Sequence, residues 1–167
     1  MSKSPLLAVL LTLMLILMHF SSKVVYAQAI LHHVNEGEFI EEVSHAKSDV
    51  KLIFIFSSWC PHCKKALAAI KPLYQFTSQH KLQFFFFSID SDLNSLEKFA
   101  HTYPEDIDIY HISSGDKILK MFKHFSLHYT NHIPHYAILD KDNMVILDEF
   151  CGVNKVIRTL KDLLRVE

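Results

Sequence analysis

The chain has 167 residues, half of them hydrophobic and 13 of them Phe, which suits one domain with a sizeable core. Lys and Arg number 17 against 18 Asp and Glu, so the formal charge of −1 lacks the basic excess of a nucleic-acid footprint. Gly occurs only at positions 37, 115 and 152, and no internal repeat or low-complexity tract interrupts the chain.

The N-terminus reads as a targeting segment. Lys3 supplies a positive start, Leu6 to Met18 is apolar except for Thr12, and Ala27-Gln28-Ala29 offers a small-x-small cleavage site. At 1.5 Å per residue that run spans roughly 20 Å, short of the roughly 30 Å of a hydrocarbon core. Residues 1–29 are therefore expected to be a cleaved signal peptide, with an uncleaved anchor as the alternative, and 30–167 to form one domain. Export would place the chain where disulfides form and persist.

Residues 38–46 suggest a short helix with Phe39, Ile40 and Val43 on one side. Lys51 to Ser57 is a continuous β-branched and aromatic run, suited to a strand buried on both faces. A helix is expected from about His62 to Gln79, its apolar stripe being Leu67, Ile70, Leu73, Tyr74 and Phe76. Pro72 should kink it or end its first part. Leu82 to Ile89 reads as a second buried strand, 93–103 as helix, Ile107 to Ile112 as extended and Asp116 to Phe125 as helix. Tyr136 to Leu139 and Met144 to Phe150 form two short strands about the turn Asp140-Lys141-Asp142-Asn143. Asn154 to Leu164 closes the chain as an amphipathic helix with Asn154 as N-cap. This order fits an α/β domain whose helices cover both faces of a central sheet.

The chemistry concentrates in Ser57-Ser58-Trp59-Cys60-Pro61-His62-Cys63-Lys64-Lys65, a Cys-x-x-Cys where a strand ends and a helix begins. Unpaired N–H groups and partial positive charge at a helix N-terminus favour the reactive thiolate. A protonated or hydrogen-bond-donating His62 would favour it further, as would Lys64 and Lys65. Pro61 suits the first helical turn, where its missing N–H costs nothing. Cys60, the more exposed thiol, would attack a partner disulfide and Cys63 would resolve the mixed disulfide. Two other uses of the pair compete. A zinc site needs two more ligands, and no second Cys pair exists. A purely structural bridge over three residues closes too small a loop to stabilise much.

The segment from Trp59 to Lys65 resembles the active site of the thioredoxin superfamily. His132-Ile133-Pro134-His135 before a strand is similar to that family's cis-proline loop, and Phe150-Cys151-Gly152 to the end of its last strand. The resemblance covers residues 38–165 and implies a thioredoxin fold, a central mixed β-sheet flanked by helices. Residues 107–125 would be an extra strand–helix insertion before the cis-proline loop, a layout similar to the exported TlpA/ResA-like branch. The Cys-Pro-His-Cys tetrapeptide is instead similar to DsbA, a strong oxidant. The resemblance places Ile133 and Pro134 beside Cys60, with Trp59 completing an apolar lip for an extended protein substrate. Many members bury an acid six positions before the first Cys, where this chain has Phe54. The lysine that partners that acid is also missing, the matching strand reading Phe84-Phe85-Phe86-Phe87. Slower resolution by Cys63 is therefore expected, without a carboxylate-dependent limb in its pH–rate profile.

The expected function is thiol–disulfide exchange with exported protein thiols and disulfides in the periplasm, Pro61 and His62 setting the redox poise. The protein would be a monomer recycled by a membrane redox partner, with no nucleic acid, organic cofactor or bound metal. Cys151 reads as a buried, inert thiol, against an auxiliary thiol or an intermolecular bridge. His124, His128, His132 and His135 read as substrate-facing or solvated. The rival function is copper handling, Cys60, Cys63 and a His holding Cu(I). A thioredoxin-fold interaction module without catalysis is disfavoured by the presence of both cysteines.

Overall fold

The computed structural model describes residues 29–79, 81–103, 107–112, 118–128 and 132–165; the expected signal peptide falls outside them, except Ala29. Strand β1 (Ile30–His33) leads to helix α1 (Glu36–His45), β2 (Val50–Phe56) and α2 (Pro61–Ile70). A 3₁₀ segment (Lys71–Gln79), β3 (Leu82–Ser88), α3 (Leu93–Thr102), β4 (Asp108–His111) and α4 (Ile118–His124) follow. The chain ends with β5 (His135–Asp140), β6 (Val145–Phe150) and α5 (Val153–Leu164). The strands form one mixed sheet in the order β1-β4-β3-β2-β5-β6, parallel from β1 to β2 and antiparallel across β5 and β6. This is the thioredoxin-like α/β architecture, with β4 and α4 inserted before β5.

The unbroken apolar character of β2 and β3 follows from their central position. Leu52, Phe54, Phe56, Phe84 and Phe86 face one layer, with Cys63, Leu67 and Ile70 of α2, Leu96 of α3 and Leu160 of α5. Ile53, Ile55, Phe85 and Phe87 face the other, with Phe39 and Val43 of α1 and Met121 and Phe122 of α4. Burying each such side chain contributes about 1.5–3 kcal/mol, so these two strands carry much of the stability. The insertion is fastened to the second layer by Glu36, 5 % exposed, whose Oε1 accepts from Met121 N at 2.9 Å.

Pro72 acts as expected: α2 stops at Ile70 and the chain tightens into 3₁₀ geometry, because Pro72 has no N–H to continue the α ladder. One local expectation fails. Asn154 is not the cap of α5; Gly152 occupies that position without a side-chain bond, and Asn154 lies inside the first turn. A Cβ at Gly152 would meet Glu149 Cγ at 2.8 Å, so close approach to that side chain favours glycine. Strand β1 has no counterpart in the sequence reading; it pairs with β4, and so depends on the insertion being present. Among the described residues, no helix is long and apolar enough to cross a membrane.

Candidate active site

Strand β2 delivers the Cys-x-x-Cys segment to the C-terminal end of the parallel strands. Cys60 is the N-cap of α2, Pro61 takes the first helical position, and the Cys60 Sγ accepts from the Cys63 N–H at 3.1 Å. Cys60 N donates to Ser57 O at 3.1 Å, closing the turn that carries Trp59. The two cysteines form a disulfide with their Cα atoms 5.3 Å apart. Cys60 is 4 % exposed and Cys63 fully buried. His62, Lys64 and Lys65 are exposed on the first turn, Lys64 Nζ lying 5.9 Å from the Phe99 ring centroid.

Register brings the second part of the site to the same end. His135 pairs with Ile55 in the antiparallel β2–β5 ladder, which puts Pro134 level with Phe56 and next to the turn. The Ile133–Pro134 peptide bond is cis. Ile133 is half-buried and packs on the cluster that includes Cys60 and Cys63, while Pro134 is buried. Pro134 O accepts from Cys151 N at 3.0 Å, which ties the end of β6 to this loop. Trp59 is 65 % exposed. Trp59, Cys60, Pro61, His62, Cys63, Ile133 and Pro134 thus gather at one end of the sheet.

Cys151 and His135 depart from the reading above, while His124, His128 and His132 are exposed. Cys151 is exposed, in the left-handed region at φ 57°, because it leaves the strand at the sheet edge. His135 is neither solvated nor substrate-facing. It is 2 % exposed, its ring edge-on to Phe122 and its Nε2 donating to Asp148 Oδ1 at 2.6 Å. Asp148 Oδ2 accepts from His128 N at 2.6 Å and lies 3.0 Å from His128 Nδ1. His132 is exposed and stacks on Phe150. Among the described residues, no group of three His, Cys, Asp or Glu side chains is arranged to hold a metal ion.

Phe54 is fully buried against Phe56, Phe86 and Tyr136. The Tyr136 hydroxyl has no hydrogen-bond partner among the described residues, and burial, reinforced by Cys151, pushes its pKa well above the usual phenol value. The buried acid of the site is Asp90, 4 % exposed, which the sequence reading missed. Its oxygens accept from Ser58 N at 2.8 Å, Ser58 Oγ at 2.7 Å and Ser88 Oγ at 2.7 Å. No local sequence signal marks it; the parallel pairing Phe56↔Ser88, extended by two residues, sets Asp90 opposite Ser58.

Residues 48–145 match the family model described as thioredoxin-like. No curated protein sequence matches the chain at a significant level. Among solved structures, a candidate thiol:disulfide interchange protein DsbE from Chlorobium tepidum is similar at TM-score 0.59 and 13 % identity, over 73 % of this chain and 84 % of that one. The C-terminal domain of an uncharacterized Bacteroides fragilis protein is similar at TM-score 0.54 and 21 % identity, over 71 % and 82 %. Thioredoxin from Wuchereria bancrofti is similar at TM-score 0.51 and 21 % identity, over 75 % and 86 %. At these identities the structural likeness speaks for the fold.

Proposed function

From the premise that this chain belongs to the thioredoxin-like family, we propose that it is a thiol–disulfide oxidoreductase acting on exported proteins. One observation carries the reading: Cys60 caps α2, and its sulfur already accepts a backbone N–H from Cys63. The same donor would stabilise a Cys60 thiolate, and the helix N-terminus adds to it.

In the reducing direction the Cys60 thiolate attacks one sulfur of a partner disulfide. A Cys60–partner bond forms, and the partner's other sulfur leaves as a thiolate. Cys63, deprotonated, then attacks the Cys60 sulfur, closing the Cys60–Cys63 bond and releasing the second partner thiolate. Two electrons pass to the partner, and the reverse sequence inserts a disulfide. Trp59, Ile133 and Pro134 form the lip against which an extended substrate docks, and Pro61 and His62 set the redox poise. Segment 1–29 would be the leader and 30–167 the working domain in the periplasm, a monomer recycled by a membrane redox partner.

The test is the equilibrium constant of the Cys60–Cys63 pair against glutathione, with Cys151 changed to Ser. A potential near −120 mV, about that of DsbA, would make the protein a disulfide donor, and one at or below about −250 mV a reductase. A pair that exchanges with no thiol or disulfide would overturn the reading. In that case stoichiometric Cu(I) binding would favour the copper-handling alternative.

A further inference from the structure

We infer that Asp90 is a positioning residue for Cys60, acting through Ser58. The inference rests on the exchange reaction proposed above and names a part of the machinery that the Cys-x-x-Cys motif does not contain. Asp90 stands two residues beyond the end of β3, beside the turn that carries Trp59 and Cys60. Its carboxylate, 4 % exposed, receives three donors: the backbone N–H and the hydroxyl of Ser58, and the hydroxyl of Ser88. Asp90 N in turn donates to Ser88 Oγ at 3.1 Å, so acid and serine hold each other.

From behind, His111 of β4 fixes the Asp90 backbone. The His111 ring is 3 % exposed, and its Nε2 donates to Asp90 O at 2.9 Å. Its Nδ1 has no hydrogen-bond partner among the described residues, and its ring meets His33 edge-on, so this bond and that contact set the ring's orientation. Ile89 N also donates to Phe56 O at 2.9 Å, which joins the two strand ends directly. The loop after β3 is therefore held on both sides before it meets Ser58.

Burying a carboxylate is costly unless charged or polar donors satisfy it, and hydrogen bonds to a charged group are stronger than neutral ones. Such a bond fixes Ser58 in two places, main chain and side chain, one residue before Trp59 and two before Cys60. The turn bond Cys60 N to Ser57 O and the Cys63 N–H to Cys60 Sγ bond follow immediately. Releasing Ser58 would let the turn move and would weaken the alignment of the Cys63 N–H with the Cys60 sulfur. Asp90 touches neither reacting sulfur through any hydrogen bond. Its effect passes through the turn.

The experiment uses the full chain with Cys151→Ser as parent, reduced, reacting with the aromatic disulfide 5,5′-dithiobis(2-nitrobenzoate). Cys60 attacks one sulfur and expels one thionitrobenzoate, and Cys63 then displaces the second, so release of two equivalents reports the complete cycle. Ser58→Ala removes one donor and no charge; it should slow the first release about fivefold and shift the glutathione equilibrium about threefold toward the disulfide. Asp90→Asn should slow it about tenfold, and the double variant should be no slower than Asp90→Asn alone, because both act on one contact. Ser58→Thr, which keeps the hydroxyl, should restore the parent rate and equilibrium. The inference is overturned by parent-like rates in Ser58→Ala, by multiplicative effects in the double variant, or by failure of Ser58→Thr to restore the equilibrium. A parent that releases no thionitrobenzoate instead sinks the exchange reaction itself, and this inference with it.

Discussion

Oδ1 of the Asp148 carboxylate accepts a 2.6 Å hydrogen bond from Nε2 of His135, the residue that follows Pro134. Its other oxygen holds His128, so one side chain joins β6, the start of β5 and the segment that follows α4. Burial alone would raise the Asp148 pKa, but the His128 N–H and the His135 and His128 rings outweigh it and hold the carboxyl below its usual value. A carboxyl depressed in the folded state stabilises the fold above its unfolded pKa, near 3.9, and that contribution is lost as pH falls through the lowered folded value. Asp148→Asn should therefore destabilise the protein at pH 7 by about 1–3 kcal/mol, with a gap that narrows below about pH 4. Urea unfolding at both pH values checks it; a constant gap would refute the assignment.

The exposure of Cys151 against the burial of the bonded pair predicts selective chemistry. In the oxidised, folded protein iodoacetamide should label Cys151 alone. Peptide mass spectrometry without reductant reads the result directly. Labelling of Cys60 or Cys63 before reduction, or a protected Cys151, would contradict the arrangement.

His62 sits exposed on the first turn of α2, between the bonded cysteines. Proline there removes a side chain able to donate to or charge the site. His62→Pro should make the couple more reducing, moving the glutathione equilibrium about tenfold or more toward the disulfide, which is about 30 mV for two electrons. An unchanged equilibrium would remove His62 from the tuning role.

Phe54, fully buried, stacks against Phe56 and meets Tyr136 of the neighbouring strand β5. Phe54→Ala should cost about 3–5 kcal/mol, read as a lowered denaturant midpoint at unchanged slope. Because Phe54 takes the place of an acid, the rate of Cys63 resolution should show no carboxylate-dependent limb between about pH 3 and 6. Stopped-flow closure of the mixed disulfide would expose such a limb if one existed.

Much of this architecture was legible before any coordinates. Val50–Phe56 and Leu82–Ser88 were found because runs buried on both faces have nowhere to lie but the sheet centre. The break after Ile70 was legible because proline acts locally, by removing a donor. Pro61 in the first turn of the helix that follows the Cys-x-x-Cys is likewise a short-range fact. The α5 cap was misplaced by two residues, because spacing marks a helix face more sharply than its first turn.

Periodicity and neighbours within a few residues suffice to mark the Cys-x-x-Cys where a strand gives way to a helix, the two buried strands and the helices around them. Which distant polar groups meet follows from how the strands pair in space. Asp90 became a partner of Ser58 through strand register, although the two are 32 positions apart in the chain. His135 became a buried donor to Asp148 rather than a surface histidine, and Cys151 was carried to the surface by the edge of the sheet. β1, four residues long, exists as a strand because β4 lies beside it. Hydrogen bonds and strand pairing across such separations depend on relative placement in space. A single sequence records the groups that take part, and only folding selects their partners.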